Sequence, residues 1–331
     1  MSGWLETLSE EERSKLSQES VPEWREPMKA RLTHDYFSDP NWIFERKLDG
    51  QRLLASKDGQ EVRLYSRNRK KNNGRFPEIV EAIAGLSVEK CLLDGEIVAF
   101  EGAQTSFSRL QPRMQVNDPE KARASGVDVY FYVFDVMHLD GYNCEALPLR
   151  TRKSVLQQSV VFDDPLRFTE HRNEDGEEYL KEACRRRWEG LIAKDARSKY
   201  RHTRSSSWLK FKCSNQQEFV IGGYSDPEGS RKGFGALLLG YYEDDRLCYA
   251  GKVGTGFSDR LLEDLRTRMN ELERKTSPFD DDVKERNAHW ITPELVGEIA
   301  FTEWTADGKL RHPRFLGLRE DKEASEVVRE Q

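Results

Sequence analysis

In the stretch FERKLDGQR, residues 44–52, Lys47 is followed two residues later by the dipeptide Asp49-Gly50 and five residues later by Arg52. Apolar residues precede it from Trp42 and follow it to Ala55, so the pattern predicts a strand, a tight turn at Asp49-Gly50 and a second strand. A lysine at a strand end can face a pocket, but its amine is a nucleophile only when neutral. That requires desolvation or crowding by other cations, and Arg52 is one candidate. An ordinary hairpin with surface charges is an equally open interpretation of this motif alone.

The length of 331 residues is sufficient for two domains, each with its own core. No run approaches the ~20 apolar residues of a membrane helix, and the N-terminal residues lack the basic and then apolar layout of a secretory signal. We therefore expect a cytoplasmic protein with no membrane partner. The five cysteines are widely spaced and include no Cys-x-x-Cys pair. This spacing argues against a structural zinc site and against a disulfide framework, and it predicts small buried side chains.

The charged residues are segregated along the chain, although the net charge is −6. One stretch without acids contains Arg67, Arg69, Lys70, Lys71 and Arg75, and a second basic stretch runs from Lys194 to Lys212 and includes Arg201. Acidic residues concentrate elsewhere, notably at 174–178 and 280–282. This distribution predicts a basic face that binds phosphates on a protein that is acidic as a whole.

Strand signals recur from Trp42 onward, and the composition changes after about residue 215. Beyond that point, short strands with Gly-rich turns and one helix within ~100 residues are typical of a small barrel of the oligonucleotide-binding kind. The sequence thus predicts a short N-terminal extension (1–26), a first domain (27–214) and a barrel domain (215–331).

Two further segments contain candidate site residues. Asp94-Gly95-Glu96 interrupts the apolar strand 91–100, and two carboxylates there favour a metal site, because a cation would offset their burial. A hairpin turn at Asp94-Gly95 with Glu96 facing solvent is an equally good interpretation. In the strand 127–138, alternation places Tyr130, Tyr132, Phe134 and Val136 on one face, and Phe134 is the aromatic residue best placed to reach a pocket.

Three lysines lie at the ends of two predicted strands. Lys194 ends the apolar run that begins at Glu189, and Lys210 and Lys212 alternate with aromatic residues in Trp208–Lys212. Alternation places Lys210 and Lys212 on one face, which indicates a wall that faces phosphates. The alternative is a solvated strand edge, where lysine is also common.

Seven short motifs, in their order along the chain, resemble those of ATP-dependent DNA ligases, and most closely the ligase module of bacterial end-joining enzymes. They are Lys-x-Asp-Gly-x-Arg (47–52), Tyr-Ser-Arg-Asn (65–68), Asp-Gly-Glu (94–96), Phe-Asp (134–135), Glu-Gly-Leu-Ile-Ala-Lys (189–194), Trp-Leu-Lys-Phe-Lys (208–212) and Arg-Glu-Asp-Lys (319–322). Each motif alone is weak, but the ordered series is specific and spans about residues 26 to 325.

The resemblance implies an α+β fold: an ATP-grasp-like nucleotidyltransferase (adenylation) domain of antiparallel sheets and helices, followed by an OB-fold β-barrel. It implies that Lys47 attacks the α-phosphate of ATP and carries AMP, while Glu45 contacts the adenine and Phe134 stacks on it. The other implied roles fall into four groups. Arg52 and Arg67 contact the ribose and the nick phosphates; Glu96 and Glu189 bind Mg²⁺ or Mn²⁺; Lys194, Lys210 and Lys212 line the α-phosphate, with Arg204 also near the nucleotide; Arg319, Asp321 and Lys322 orient the pyrophosphate.

The implied partners are nicked duplex DNA and a Ku-like end-binding protein, with the chain itself a nucleoid-associated monomer inside a bacterial or archaeal cell. We expect Arg67, Arg69, Lys70, Lys71, Arg75 and Arg201 to contact the DNA. The ~26 residues before the first domain are too few for a separate DNA-binding domain, which predicts a weaker grip on DNA than in larger family members. Three alternatives are an mRNA capping guanylyltransferase, an RNA ligase and a non-catalytic nucleic-acid-binding protein.

Overall fold

Two compact units, Met1–Cys213 and Ser214–Gln331, make up the chain in a computed structural model that describes residues 3–227 and 232–330. The division falls one residue before the boundary predicted from composition. None of the helices in these described ranges has the length and apolar character that a membrane crossing requires.

The first unit is built mainly of strands. Its strands are β1 (Ser17–Gln18), β2 (Lys29–Leu32), β3 (Trp42–Lys47), β4 (Gln51–Asp58), β5 (Glu61–Ser66), β6 (Lys90–Val98), β7 (Phe100–Glu101), β8 (Gln104–Thr105), β9 (Tyr130–Leu139), β10 (Tyr142–Asn143), β11 (Leu166–Phe168), β12 (His171–Asn173), β13 (Gly190–Asp195) and β14 (Arg204–Lys212). Its α-helices are α1 (Glu10–Ser14), α2 (Pro77–Ala84), α3 (Phe107–Met114), α4 (Pro119–Arg123), α5 (Leu149–Ser159) and α6 (Gly176–Arg185), and a 3₁₀ helix spans Gly3–Thr7.

A seven-stranded sheet has the order β1-β10-β9-β6-β4-β5, with β11 joined to β9. Alternation along β4 turns Leu53 and Ala55 toward the main core, where Ile79 and Ile83 of α2 pack, and turns Leu54 toward the opposite face. Trp4 and Leu8, from the segment predicted to be an extension, also pack into this core.

A second sheet of five strands has the order β12-β3-β13-β14-β2. Its apolar face, which includes Phe44, Leu191 and Phe211, packs against Tyr179 and Leu180 of α6. The opposite face carries Glu45, Lys47, Lys194, Lys210 and Lys212. This sheet is therefore covered by a helix on one side and forms a polar surface on the other.

The predicted strands and turn around Lys47 are present, but β3 and β4 are not a hairpin. β3 pairs with β12 and β13, whereas β4 pairs with β5 and β6, so residues 48–50 carry the chain from one sheet to the other. Gly50 permits this crossing, because a Cβ atom there would lie 2.1 Å from the Ile97 carbonyl oxygen. The Asp-Gly turn signal is the same for a hairpin and for a change of sheet.

The predicted common face of β9 is also wrong in one respect. The pairing of β9 with β6 shifts register twice, between Leu92 and Leu93 and between Asp94 and Gly95. Each irregularity changes which face the following residues present. Val136 therefore packs in the main core with Phe131, while Phe134 joins a small cluster with Leu54 and Trp208.

The cysteines are partly as predicted. Cys91 and Cys144 are buried, and burial raises the pKa of each thiol to about 12. Cys184 and Cys213, however, form a disulfide, which corrects the expectation of five unlinked side chains. The two residues lie 29 positions apart in sequence but only 5.2 Å apart at their Cα atoms, because α6 packs on the sheet that contains β14, and Cys213 directly follows β14.

The second unit consists of strands and one long helix. Its elements are β15 (Asn215–Ser225), β16 (Leu237–Glu243), β17 (Arg246–Val253), α7 (Asp259–Glu271), β18 (Glu273–Arg274), β19 (Ala288–Phe301), β20 (Glu303–Trp304), β21 (Leu310–Arg311), β22 (Arg314–Leu318) and a 3₁₀ helix at Ala324–Glu326. Its main sheet has the order β17-β16-β15-β19-β18, with β22 also paired to β19. Ser258 caps α7, since its side chain accepts from the Leu261 N–H at 3.4 Å.

Candidate active site

The polar face of the five-stranded sheet is formed by three adjacent strands in register. Lys47 is opposite Gly190, which is opposite Lys212; Glu45 is opposite Ile192, which is opposite Lys210. Residues that pair across strands share a face. Glu45, Lys47, Lys194, Lys210 and Lys212 therefore lie on one surface, as the sequence predicted for the lysines of Trp208–Lys212. The alternative of a solvated edge is wrong for this strand, because β14 has β13 on one side and β2 on the other.

Lys47 ends β3, and its Nζ atom is paired with the carboxylate of Glu189, the residue before β13. The side chains are 19% and 7% exposed, so the lysine reaches solvent while the carboxylate is nearly buried. The sequence predicted crowding of Lys47 by cations, whereas the resolved partner is an anion. Arg52 pairs instead with Asp94.

Gly190 fixes the position of Glu189. Its φ is +148°, and a Cβ atom would lie 1.9 Å from the Phe211 carbonyl oxygen, so only glycine allows β13 to approach β14 this closely. The carbonyl of Glu189 also accepts a hydrogen bond from the Cys213 N–H at 3.0 Å.

We expect Gly190→Ala to lower the free energy of unfolding by about 1–3 kcal/mol and to reduce any reaction that depends on Lys47, because the added methyl group forces Glu189 to shift. Thermal unfolding measures the first effect. Gly102→Ala is the matched control: Gly102 also has positive φ, at +62°, but nothing lies within 4 Å of its added Cβ atom. An equal loss of stability in both variants would show that φ, and not the contact with β14, matters.

Glu45 lies at the centre of a buried charged group. Its side chain is 2% exposed; Oε1 accepts from Lys153 Nζ at 2.6 Å, and Oε2 contacts Lys194 Nζ at 2.5 Å. Burial acts to raise the pKa of Glu45, but the charges of Lys153 and Lys194 outweigh it and hold that pKa below its ordinary value. Burial lowers the pKa of Lys194 to about 8. Glu45 is therefore an ionised, buried hydrogen-bond acceptor.

Arg52 belongs to a second buried group, on the seven-stranded sheet. Its guanidinium forms a bidentate pair with Asp94, at 2.5 and 2.6 Å, and the Tyr200 hydroxyl donates to the same carboxylate at 2.6 Å. Asp94 lies inside the continuous strand β6, so the hairpin interpretation of Asp94-Gly95 is wrong. Glu96 is opposite Arg52 across the strands and is half-buried.

Phe134 connects the two groups. Its ring is 7% exposed and packs edge-to-face on Trp208, with the Arg52 guanidinium carbon 4.5 Å and the Lys194 Nζ 4.2 Å from its centre. Two cations thus lie against the ring that the resemblance assigns to adenine stacking. That role stays a prediction.

The basic stretch after β5 is accessible. Arg69, Lys70 and Lys71 are exposed, and Arg67 and Arg75 are half-buried. Arg201 and Arg204 are exposed near the start of β14, where the Arg204 guanidinium donates to the Ala30 carbonyl at 2.9 Å. The structure therefore allows these cations to contact an anionic partner.

Arg319 and Lys322 are placed within the second unit. Arg319 is 11% exposed and pairs with Asp321 at 2.9 Å and Glu298 at 3.1 Å, while Lys322 pairs with Glu218 at 2.8 Å. Burial acts to lower the pKa of Arg319, but Asp321 and the neighbouring carboxylates raise it well above its ordinary value. This segment is therefore packed and ion-paired within the second unit.

Lys153 is the residue of the site that the motif analysis missed. On α5 the buried residues Leu149, Arg152, Lys153 and Leu156 share one face by helical spacing. Arg152 forms a fully buried bidentate pair with Asp135, at 2.7 and 2.8 Å. The sequence signal that could have identified Arg152 and Lys153 is the occurrence of two basic residues on the apolar face of a predicted helix.

Glu96 and Glu189 are the two carboxylates predicted to bind the metal ion. Within residues 3–227 and 232–330, no cluster of three or more His, Cys, Asp or Glu side chains could hold an ion. Mg²⁺ is commonly held by one or two carboxylates together with substrate phosphates. Glu96 and Glu189 supply two such carboxylates, so the metal site stays a prediction that would need substrate phosphates to complete it.

The two units, the first with a lysine-bearing sheet face, have the fold of a nucleotidyltransferase domain followed by an OB-fold domain. Residues 27–212 match the family described as the ATP dependent DNA ligase domain, and residues 230–322 match the ATP dependent DNA ligase C terminal region. The chain belongs to the ATP-dependent DNA ligases. The predicted family, fold class and enzyme class are thereby confirmed.

The chain is also similar to individual proteins named as DNA ligases or end-joining proteins. The chain is 38% identical, over 94% of its length, to the multifunctional non-homologous end joining protein LigD of Pseudomonas aeruginosa, and 36% identical, over 87%, to that of Mycolicibacterium smegmatis. It spans 37% of the length of each. A solved structure of mycobacterial DNA ligase D complexed with ATP and MES is 33% identical, covers 92% of this chain and 98% of its own, and superimposes with a TM-score of 0.66.

Proposed function

We propose that the chain seals nicks that carry a 5′-phosphate and a 3′-hydroxyl in duplex DNA, by way of lysyl-AMP and DNA-adenylate intermediates, in end-joining repair. The observation that supports this most directly is the position of Lys47, solvent-accessible on a sheet face that also presents Glu45, Lys194, Lys210 and Lys212. Phosphoryl transfer depends mainly on positioning and charge neutralisation, and such a face provides both.

In the first step, Lys47 Nζ forms a bond to the α-phosphorus of ATP while the bond from that phosphorus to the β-phosphate oxygen breaks. Pyrophosphate leaves, and the amine releases its protons to solvent. Glu189 pairs with Lys47 and must give up that contact before the amine can attack. Lys194, Lys210 and Lys212 stabilise charge on the phosphate oxygens.

A divalent cation held by Glu96 and Glu189 with the phosphates would supply charge neutralisation during this step. Both side chains supply hard oxygen donors of the kind that Mg²⁺ and Mn²⁺ prefer.

In the second step, an oxygen of the DNA 5′-phosphate attacks the AMP phosphorus, the phosphorus–nitrogen bond breaks and Lys47 recovers its amine. In the third, the 3′-hydroxyl attacks the 5′-phosphate, the phosphodiester forms, AMP leaves and the hydroxyl proton is released. Lys47 is needed only as the AMP carrier, so the third step does not use it.

The end-joining role rests on similarity to proteins that are named for non-homologous end joining. For this chain we propose the same process, with a Ku-like protein as the recruiting partner, a monomeric chain, and a place inside a bacterial or archaeal cell.

Labelled nucleotides test the chemistry. The protein is incubated with α-labelled ATP or GTP and a divalent metal, and covalent label is measured after denaturation. We expect labelling by ATP only, followed by sealing of a nicked duplex. Preferential labelling by GTP would indicate a capping guanylyltransferase, sealing of nicked RNA alone would indicate an RNA ligase, and no covalent label would indicate a non-catalytic binding protein.

Binding to a nicked duplex is expected to weaken steeply with salt, because the exposed residues of the stretch after β5 and those near β14 displace counterions from phosphates. With ~4–6 phosphate contacts the slope of log affinity against log salt should be about −4 to −5. Replacement of Lys70 and Lys71 by glutamine should reduce this slope, whereas Lys181→Gln, on the exposed surface of α6, should not. A slope near zero in the original chain would contradict the predicted DNA contacts.

A further inference from the structure

The Nζ atom of Lys153 has three partners, and all three are groups of the protein. Its Nζ donates to Glu45 Oε1 at 2.6 Å and to the Thr169 carbonyl at 2.9 Å, and it lies 4.6 Å from the centre of the Phe168 ring. The side chain is 2% exposed. An ammonium has three donors. All three are directed at protein groups, so Lys153 acts on the site through Glu45.

Lys194 contacts the same carboxylate, but its Nζ atom has different surroundings from that of Lys153. Its Nζ lies between the rings of Phe134 and Trp208, 4.2 and 4.1 Å from their centres, and its other polar contact is Glu45. Lys194 is on the sheet face, where the phosphates of a nucleotide would bind, whereas Lys153 reaches Glu45 from α5. Lys194 can therefore exchange Glu45 for a phosphate oxygen, and Lys153 then becomes the remaining cation on the carboxylate.

An ionised carboxylate accepts hydrogen bonds and cannot donate them. The adenine edge presents an amino group, a donor, where guanine presents a carbonyl oxygen, an acceptor. A buried Glu45 that stays ionised with a fixed orientation therefore binds adenine and repels guanine. A Glu45 that can rotate or take up a proton loses this discrimination.

We propose that Lys153 is a positioning residue that sets the preference for adenine, by holding Glu45 ionised and oriented toward the base. The inference rests on the proposed function, because it assigns the base-binding role to Glu45. It adds a residue outside the seven motifs to the specificity of the first step.

The test is self-adenylation by the full chain, a single-turnover reaction. Its maximal rate constant, written here as kcat, and its half-saturating nucleotide concentration, written as KM, are measured separately for ATP and GTP. In Lys153→Met, we expect KM for ATP to rise about tenfold with kcat changed less than threefold, and the preference for ATP over GTP to fall about tenfold. Lys153→Arg retains a cation and should restore most of the preference.

Lys57→Met is the matched control. Lys57, on β4 of the seven-stranded sheet, is also fully buried, at 1% exposure. It donates to the backbone carbonyls of Leu86 and Val88, in the connection between α2 and β6, at 3.2 and 2.6 Å. Its loss should lower thermal stability without changing the ratio of ATP to GTP. If Lys153→Met resembles Lys57→Met, with equal loss of kcat for both nucleotides and an unchanged KM, its role is structural and the inference is wrong.

If the original chain forms no AMP adduct, the proposed function itself fails, so the two failures are distinguishable. If Lys153→Met does not fold, Lys153→Arg and Lys153→Gln are compared at a temperature where both are folded, and an identical nucleotide preference in the two would overturn the proposal.

Discussion

Lys47→Ala is expected to abolish transfer of AMP from ATP to the protein, a loss of at least about 10³-fold, because the nucleophile is removed and Lys194, the buried lysine nearby, is paired with Glu45. Sealing of a nick that already carries a 5′-AMP should persist at a substantial fraction of the original rate. Both rates are measured on the same preparation, with labelled ATP for the first and a pre-adenylated nicked duplex for the second.

Lys212→Ala provides the comparison for Lys47→Ala. Lys212 is in the same row of the sheet but is assigned to the phosphates, so its loss should slow adenylation without eliminating it. A full level of covalent AMP on Lys47→Ala would disprove the assignment of the nucleophile. Loss of both half-reactions would instead indicate that Lys47 is needed to maintain the structure of the site.

Lys322→Ala is expected to reduce formation of the AMP adduct by about 10²-fold, because the pyrophosphate that leaves on the side opposite the attacking amine needs cations there. Sealing of a pre-adenylated nick should change far less. Arg319→Ala should have the same selective effect, but it also leaves Glu298 and Asp321 without their buried cation. A loss of stability, of the size seen when one partner of a buried pair is removed (about 3–5 kcal/mol), is therefore expected for Arg319→Ala.

Thermal unfolding of each variant separates the two effects on this segment. Arg314→Ala, an exposed arginine on the neighbouring strand β22, is the matched control and should leave both half-reactions close to the original rate. Equal loss of adenylation and sealing in Lys322→Ala would indicate a DNA contact or a folding defect. An unchanged rate of adenylation would show that the segment does not act on the pyrophosphate.

Local patterns predicted the parts of the site that lie along single strands. Alternation in Trp208–Lys212 placed both lysines on one face, and the strand signal before Lys47 placed it at a strand end; both predictions are confirmed. Sequence spacing cannot state which strands pair. The Asp49-Gly50 turn therefore suggested a hairpin, although the chain crosses between sheets there.

The remaining differences have the same physical origin, which is contact between segments that are distant in sequence. Lys153 reaches Glu45 across 108 positions, and Arg52 reaches Asp94 across 42. The register shifts of β9, which separate Phe134 from Val136, depend on its pairing with β6. The residue pattern within one segment does not indicate which distant residue it will contact, so these contacts could not be predicted from the sequence.

The bond between Cys184 and Cys213 makes residues 184–213 a covalent ring, and Glu189, Lys194, Lys210 and Lys212 all belong to it. An unfolded chain with this ring intact keeps these four side chains within a short tether of one another, so refolding restores their proximity with less loss of chain entropy. Cys184 is exposed, so a reducing agent in the buffer can reach the bond and open the ring. Protein handled with and without a thiol reductant is thus two molecules of different connectivity, and each should be characterised separately.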